Sequence, residues 1–506
     1  MIKQTNTSQA AFDFNFTLCN SLSPNNRWFQ LADQIPWEAL GTIYEESLSM
    51  NEGAPTISSR VVIGALIIKH MKNLSDEETI EDIRENPYYQ YFLGYSSFQY
   101  RQVFAPSLFV EIRKRLGFEK LQRINETFLG FTEGKAESSD KDSDDPGHKG
   151  MLIMDATVAP QDITYPTDVG LLNESREKLE KIIDELWVPT PVKIKPRTYR
   201  QVAHKTYLDF SRRRKPQMKT IRKAIRGQLG YINRNLKHIE TLLDIYSGKD
   251  FPLSHNQLRQ LWIIKECYRQ QDIMYKTETH SIPDRIVSIS QPYVRPIVRG
   301  KSKAMTEFGA KLSASVIDGK VILDRLSWDA YNESEDLKPA VERYKERFGY
   351  SPESVNGDKI YWNSENRRYL KSKRIKLYGG NPLGRPSKSK TLEEKKHHKE
   401  ESVKRNRIEG VFGLGKRRYG LALVMAKTRQ TSESWIAMVI FVMNVAAVYR
   451  DHIFSYFFRE IEHITGLLSP MLHHTVIKHV EKVRLGWKVI IPNQLQHETN
   501  LQKLAF

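Results

Sequence analysis

The strongest constraint on the fold is a long, almost purely helical stretch, residues 199 to about 280, set within a chain of alternating strands and helices. Its apolar residues recur at alternating steps of four and three, which predicts a long antiparallel helical hairpin. The repeat fits either core packing or a dimer seam. Strand-like runs precede it at 151–155 and follow it in RIVSIS and in residues 309–326. The pattern indicates a mixed α/β fold with a large helical insertion.

Changes in composition divide the chain into segments, and 506 residues suggest about three domains. Residues 1–130 predict a helical N-terminal domain. Residues 131–150 are rich in Ser, Asp, Gly and Lys and predict a flexible linker. Residues 151–450 predict the mixed α/β domain. Residues 451–506 form a C-terminal extension without a functional signal.

Several local motifs predict where elements begin and end. Ser75 and Glu78 have the spacing of a capping box, and Pro87 should stop the helix that follows them. Asp318-Gly319 lies between two alternating runs and predicts a hairpin turn. A short amphipathic helix near residues 107–117 carries basic side chains that could contact DNA.

Positive charge is concentrated in two segments. The chain has a net charge of +18. Residues 193–238 contain fifteen Lys or Arg against one acid, and residues 371–418 contain sixteen against five. One such run would fit a solvated helix face, but two favour a nucleic-acid partner, because neutralising phosphates releases condensed counterions.

Membrane insertion and disulfide chemistry are not indicated. The longest apolar run, Trp435–Tyr449, is interrupted by Asn444 and is shorter than the roughly 20 residues of a membrane span. The N-terminus lacks the pattern of a secretory signal. Cys19 and Cys267 are far apart and support neither a disulfide framework nor a zinc site. A cytoplasmic protein is expected.

Three acids are placed as a metal-dependent phosphoryl-transfer site would require. Asp155 is predicted at the end of the first strand and Asp358 at the end of a later one. Glu409 lies on a predicted helix, four residues after Arg405 and so on the same face. Hard cations such as Mg²⁺ prefer carboxylate oxygens, and rigid elements hold such ligands best.

Around these residues the chain resembles the DDE transposases of bacterial insertion sequences. The resemblance covers most of the chain, and its specificity comes from several segments in the same order. In the third-acid segment, Arg405, Glu409 and Lys416 match a signature with three and six intervening residues, whereas the position of the signature tyrosine holds Ser402. The other matching segments are RWFQLADQIPWEAL, ALIIKHMKNLSDEETIEDIRENPYYQYFLGY, MDATVAPQDITYPTDVGLLNESREKLEKI, GKSKAMTEFGAKLSASVIDGKVILDRLSWDAYNESEDL and NGDKIYWNSENRRYLKSKRIKLYGGNPLGRP.

The resemblance implies an RNase H-like catalytic domain within residues 151–450. It also implies that Asp155, Asp358 and Glu409 are catalytic and hold two Mg²⁺ or Mn²⁺ ions. Arg405 and Lys416 would hold transposon-end DNA through phosphate contacts.

The implied activity is that of a transposase. Such an enzyme binds the ends of its insertion sequence, cleaves phosphodiesters and transfers the 3′-hydroxyl ends to target DNA. Its partners would be double-stranded DNA, at the transposon ends and at the target, and a second copy in a homodimer, with no membrane. It would be cytoplasmic and associated with the nucleoid when bound. Two alternatives stay open: a catalytically inactive repressor of transposase descent, and a metal-dependent nuclease that does not transfer strands.

Overall fold

The fold combines a layer of helices with a curled mixed sheet. The computed structural model describes residues 18–46, 48, 56–136, 148–188, 193–246, 251–298, 306–379, 396, 400–401 and 403–466. The N-terminal helices are α1 Leu18–Ser21, α2 Arg27–Gln34, α3 Trp37–Glu45, α4 Ser59–Lys72, α5 Asp76–Glu85, α6 Pro87–Phe92 and α7 Leu108–Ala136. The remaining elements are β1 Met151–Pro160, α8 Asp168–Trp187, α9 Arg200–Ser211, α10 Met218–Asp244, α11 His255–Thr277, β2 Arg295–Val298, β3 Thr306–Ile317, β4 Lys320–Ser327, α12 Leu337–Phe348, β5 Ser354–Asn356, α13 Ser364–Ser372, β6 Lys376–Tyr378, α14 Asn406–Arg418 and α15 Arg429–Gly466.

Strand β1 lies at the centre of the sheet. It pairs antiparallel with β3 on one side and parallel with β5 on the other, and β6 continues the parallel edge. Strands β2 and β4 both pair antiparallel with β3, along different parts of its length. The turn between β3 and β4 is the predicted hairpin, because Asp318 and Gly319 both adopt positive φ. The mixed helix and strand class is therefore confirmed.

The helical insertion consists of α8 to α11 and has its own hydrophobic core. Ile225, Leu229, Ile232, Leu236 and Ile239 of α10 are buried against residues of α8 and α11. The apolar repeat is therefore core packing within the chain. The predicted hairpin of α10 and α11 exists, but α10 packs mainly against α8, which the hairpin prediction left out.

The N-terminal helices share one core with α15 and one face of the sheet. Helix α15 packs along α7 and α4, and Phe128 meets Phe441 edge to face. The capping box is confirmed, since the Ser75 hydroxyl oxygen accepts the backbone N–H of Glu78 and the Glu78 carboxylate accepts the backbone N–H of Ser75. Pro87 begins α6, one residue after the C-cap of α5.

Several local expectations differ from the structure. RIVSIS is not a strand, because the Gln270 side chain accepts the N–H of Ile286, and Ile286 and Ile289 pack on the core of the insertion. Helix α7 is longer than predicted and continues to Ala136 through a kink at Gly117, so only 137–147 of the expected linker falls outside the described residues. Helix α15 runs across the expected boundary at 450/451, and residues 467–506 lie outside the described part.

Arg113, one of the basic side chains of the segment 107–117, also differs from expectation, because it is buried and cannot contact DNA. Its guanidinium makes two hydrogen bonds to Asp76, at 2.9 and 2.7 Å. Lys69, also buried, contacts the same carboxylate at 3.0 Å. Trp435 of α15 lies 5.1 Å from the Lys69 ammonium and 5.8 Å from the Arg113 guanidinium, measured to its ring centroid. This cluster joins α4, α5, α7 and α15.

Helix α15 contains a stretch, Arg429–Ile453, that is long and apolar enough to cross a membrane. The run Trp435–Tyr449 noted in the sequence is only the middle part of this stretch. Most of this stretch is buried inside the protein, as in the core helix of a soluble protein. Burial, rather than length, is the observation that favours a core helix.

We expect Asp76→Ala to lower the free energy of unfolding by about 3–5 kcal/mol, because it leaves two buried cations without their carboxylate. Urea denaturation measures the change. Glu81→Ala is the matched control, since its ion pair with Arg84 is exposed and should contribute less than about 1 kcal/mol. Equal effects of the two substitutions would show that the buried cluster adds nothing beyond a surface pair.

Candidate active site

Asp155 lies in the middle of β1 rather than at its end. The strand continues to Pro160, because its pairing with β3 extends beyond the apolar run as far as Gly309. Asp155 lies opposite Ala314 of β3, and its Oδ1 accepts the N–H of Ala156 at 2.8 Å. On the other side, pairing with β5 stops at Ile153. The carboxylate therefore lies just past the point where β5 leaves the edge of β1.

Asp358 follows β5 by two residues and caps the short 3₁₀ turn Lys359–Tyr361. Its Oδ1 accepts the N–H of Lys359 at 2.7 Å. Because β5 runs parallel to β1, its C-terminal end brings Asp358 to the side of the sheet where Asp155 emerges. Two glycines make this loop possible: a Cβ on Gly379, which has φ +105°, would lie 2.5 Å from the carbonyl oxygen of Gly357.

Glu409 lies in the first turn of α14. Ile408 and Phe412 are buried in the main core and fix the orientation of the helix. Arg405 connects the second and third acids: its Nη2 lies 3.1 Å from Glu409 Oε1 and its Nη1 lies 3.7 Å from Asp358 Oδ1. The positive charge of Arg405 also lowers the pKa of Asp155. The structure thus brings the three predicted acids together around one predicted DNA-binding arginine.

Burial raises the pKa of Asp155 to about 6. The N–H of Ala156 and the charge of Arg405 lower this pKa, whereas Glu333 and Asp358 raise it further. Glu333 was not predicted from the sequence. It belongs to a 3₁₀ turn after β4 and pairs with Lys311 of β3 at 2.8 Å. No sequence signal marks it, because a loop carboxylate becomes relevant only when the fold places it near the site.

The acids suit a divalent cation by their chemistry. Carboxylate oxygens are the ligands that Mg²⁺ and Mn²⁺ prefer. Burial is the main cause of the raised pKa of Asp155, and a cation bound beside this carboxylate would favour its charged form. The acids do not form a closed cage: within the described ranges, no three His, Cys, Asp or Glu side chains are close enough to hold an ion. At Asp358 and Glu409, the charge is met by Arg405.

The remaining predicted residues have mixed outcomes. Lys416 lies seven residues after Glu409 on α14, two helical turns further along the same side. Ser402, at the position of the signature tyrosine, lies outside the described residues. Asp168, close behind Asp155 in sequence, has a structural role, since it accepts hydrogen bonds from Gln271 at 2.9 Å and from Arg285 at 2.7 Å.

Comparison with known proteins gives two family matches. The family described as "Transposase DDE domain" matches residues 355–446, which include Asp358, Arg405, Glu409 and Lys416. The family described as "Transposase domain (DUF772)" matches residues 16–115. The chain belongs to the DDE transposases of insertion sequences. A transposase DDE domain is the domain of a DNA-cleaving enzyme, and enzymes of this family generally use divalent metals.

Two further comparisons concern relatives of this transposase. It is 31% identical over 166 residues to the "Uncharacterized protein ORF8 in nfe locus" of Rhizobium meliloti, a match that covers 31% of this chain and 73% of the relative. No solved structure matches the chain.

The raised pKa of Asp155 has a consequence for stability. The folded protein keeps the Asp155 proton up to about pH 6, whereas the unfolded chain releases it near 3.8, so rising pH destabilises the fold across this interval. We expect metal-free Asp155→Asn to exceed the wild type in free energy of unfolding by about 1–3 kcal/mol at pH 7 and to match it below pH 4.

Urea denaturation at pH 4 and pH 7 in the presence of a chelator tests this expectation. Asp162→Asn serves as the control, because Asp162 lies beyond the end of β1 and pairs with Lys427 at the surface. Equal stabilities of wild type and Asp155→Asn at both pH values would contradict the burial of an uncompensated carboxylate.

Proposed function

We propose that this transposase binds the ends of its insertion sequence, cleaves phosphodiesters there, and transfers the freed 3′-hydroxyl strands to target DNA. The observation that carries the proposal is the convergence of Asp155, Asp358 and Glu409 around Arg405, from three separate elements. This arrangement supports a shared cation, because carboxylate oxygens are the ligands that hard divalent ions prefer.

We further propose that the catalytic domain is RNase H-like. Its sheet has six strands: β1, β2 and β4 pair antiparallel with β3, β2 and β4 along the same edge, and the parallel strands β5 and β6 follow on the other side of β1. This order supports the proposal, because it places the first acid on the central strand and the second acid after the neighbouring parallel strand.

Asp155, Asp358 and Glu409 would hold two divalent ions. When bound, such ions activate the attacking oxygen and stabilise the leaving oxygen of a phosphodiester. Arg405 would then turn from the carboxylates to the DNA, since its exposed pairings with Asp358 and Glu409 are weak interactions that a phosphate can replace. Lys416 would contact the backbone further along α14. Both side chains would position the strand without reading its sequence.

The N-terminal helical domain would bind the transposon ends, and two copies would act together as a homodimer because two ends must be joined. We place the protein in the cytoplasm, associated with the nucleoid when it is bound to DNA. The matched segment 16–115 supports a transposase role for this domain. The buried Arg113 restricts its DNA contacts to other side chains, such as the exposed Arg115.

The proposal predicts metal-dependent nicking of a labelled duplex at the junction between the element's end and its flank. Asp155→Asn and Glu409→Gln should each reduce the nicking rate at least about a hundredfold, the scale on which removal of one charge-stabilising group acts. Asp162→Asn should cut like the wild type. Binding of the duplex should persist in all variants.

The other outcomes identify the alternatives. Binding without cutting by the wild type in Mg²⁺ or Mn²⁺ would indicate a repressor of transposase descent. Cutting without joining of the 3′ ends to a target plasmid would indicate a nuclease.

A further inference from the structure

The outward face of α10 carries cations that have no intramolecular carboxylate partner. Lys219, Lys223 and Arg226 are exposed and follow one another at steps of four and three, so they lie on one side of the helix. None of them pairs with a carboxylate of the residues that the structure describes. The neighbouring Arg222, by contrast, pairs with Glu278 at 3.0 Å.

The turn that precedes α10 extends this surface. Arg212, Arg213, Arg214 and Lys215 are all exposed, and none forms an ion pair within the described part of the chain. Seven cations therefore lie within fifteen residues, on a turn and the first helical turns after it. Together we call them the α10 basic face. Such a concentration of like charges opposes folding unless an anion balances it.

Two glycines lie beside these cations for no reason that the fold supplies. Gly227 and Gly230 are in the interior of α10, are exposed, and would meet nothing within 4 Å if they carried a Cβ. Glycine weakens a helix interior relative to alanine. An exposed glycine that the fold does not need is explained when another molecule approaches the helix backbone closely.

We propose that the α10 basic face is a docking surface for double-stranded DNA, held through its phosphates without regard to base sequence. Each strand of a duplex carries one negative charge per about 3.4 Å of its axis, so three cations along about 10 Å of helix match about three phosphates of one strand. The glycines let the sugar-phosphate backbone lie close to α10. A second copy of the chain would bring the same positive face and would be repelled.

This surface deepens the proposed function and rests on it only for the presence of DNA. The two are separable because binding at α10 requires neither the acids nor a metal. Affinity is therefore measured with full-length protein in the Asp155→Asn background and in a chelator, on two duplexes of equal length, one carrying the element's end and one of random sequence.

The triple variant Lys219→Gln, Lys223→Gln, Arg226→Gln tests the cations. The slope of log affinity against log salt should become shallower by about 2–3, because each lost phosphate contact removes about 0.9. Affinity should fall by the same factor on both duplexes. An unchanged slope, or a loss confined to one duplex, would overturn the proposal.

Lys265→Gln, Arg269→Gln, Lys276→Gln is the matched control on α11. It removes the same charge from the same insertion, but these cations are paired with Glu240, Glu266 and Asp272. The control should keep a slope close to that of the wild type. If the control slope became as shallow as that of the α10 variant, net charge alone would account for DNA binding. That result would also overturn the proposal of a defined surface on α10.

The glycines are tested by Gly227→Gln, Gly230→Gln, which adds bulk without charge. The melting temperature should be unchanged or higher, because glutamine favours a helix more than glycine does. DNA affinity should nevertheless fall at least threefold, and Gly227→Ala, Gly230→Ala should lose less. Wild-type affinity of the glutamine variant would overturn the close approach of DNA to α10.

Discussion

The structure depends on a central strand that is covered on both faces and still carries a carboxylate. Ile153 and Ala159 of β1 belong to the main core, whereas Leu152 and Met154 belong to a separate cluster beneath α12. Strands on both sides supply its hydrogen bonds. A position as rigid as this holds Asp155 accurately, and the cost is a pKa raised by burial. Because β5 ends before it reaches Asp155 and is followed by the glycine-dependent loop, no neighbouring strand in the described part of the chain covers the carboxylate on that side.

The N-terminal helices are joined to the catalytic region by more than apolar packing. The backbone carbonyl of Tyr419, directly after α14, lies 3.4 Å from Nδ1 of the buried His70 on α4, and Trp435 packs against the same ring edge to face. Burial lowers the pKa of His70 to about 3, so this histidine is neutral at physiological pH. The helix that carries Glu409 therefore ends against the segment matched by the second transposase family.

Much of the site could be predicted from local sequence, because each acid lies on or next to a recognisable element. The apolar run at β1, the short strand before Asp358 and the Arg405–Glu409 spacing were all visible in the sequence. The position of Asp155 within β1 was not, since the end of a strand depends on the pairing of its partner. Glu333 was also missed, because its relevance arises from the tertiary fold alone. RIVSIS failed for a related reason: a side chain amide replaced a neighbouring strand as its hydrogen-bond partner.

The separate core of the helical insertion also affects how the chain can fold. The central pairing joins β1 to β3, and Asp155 and its partner Ala314 are separated in sequence by the whole insertion. Closing so long a loop before stabilising contacts form is costly in entropy and slow. Helices α8 to α11 can collapse locally, and the ion pair between Asp168 and Arg285 then draws the entry and exit of the insertion together. On this account, local folding of the insertion shortens the effective loop between β1 and β3 and so speeds their pairing.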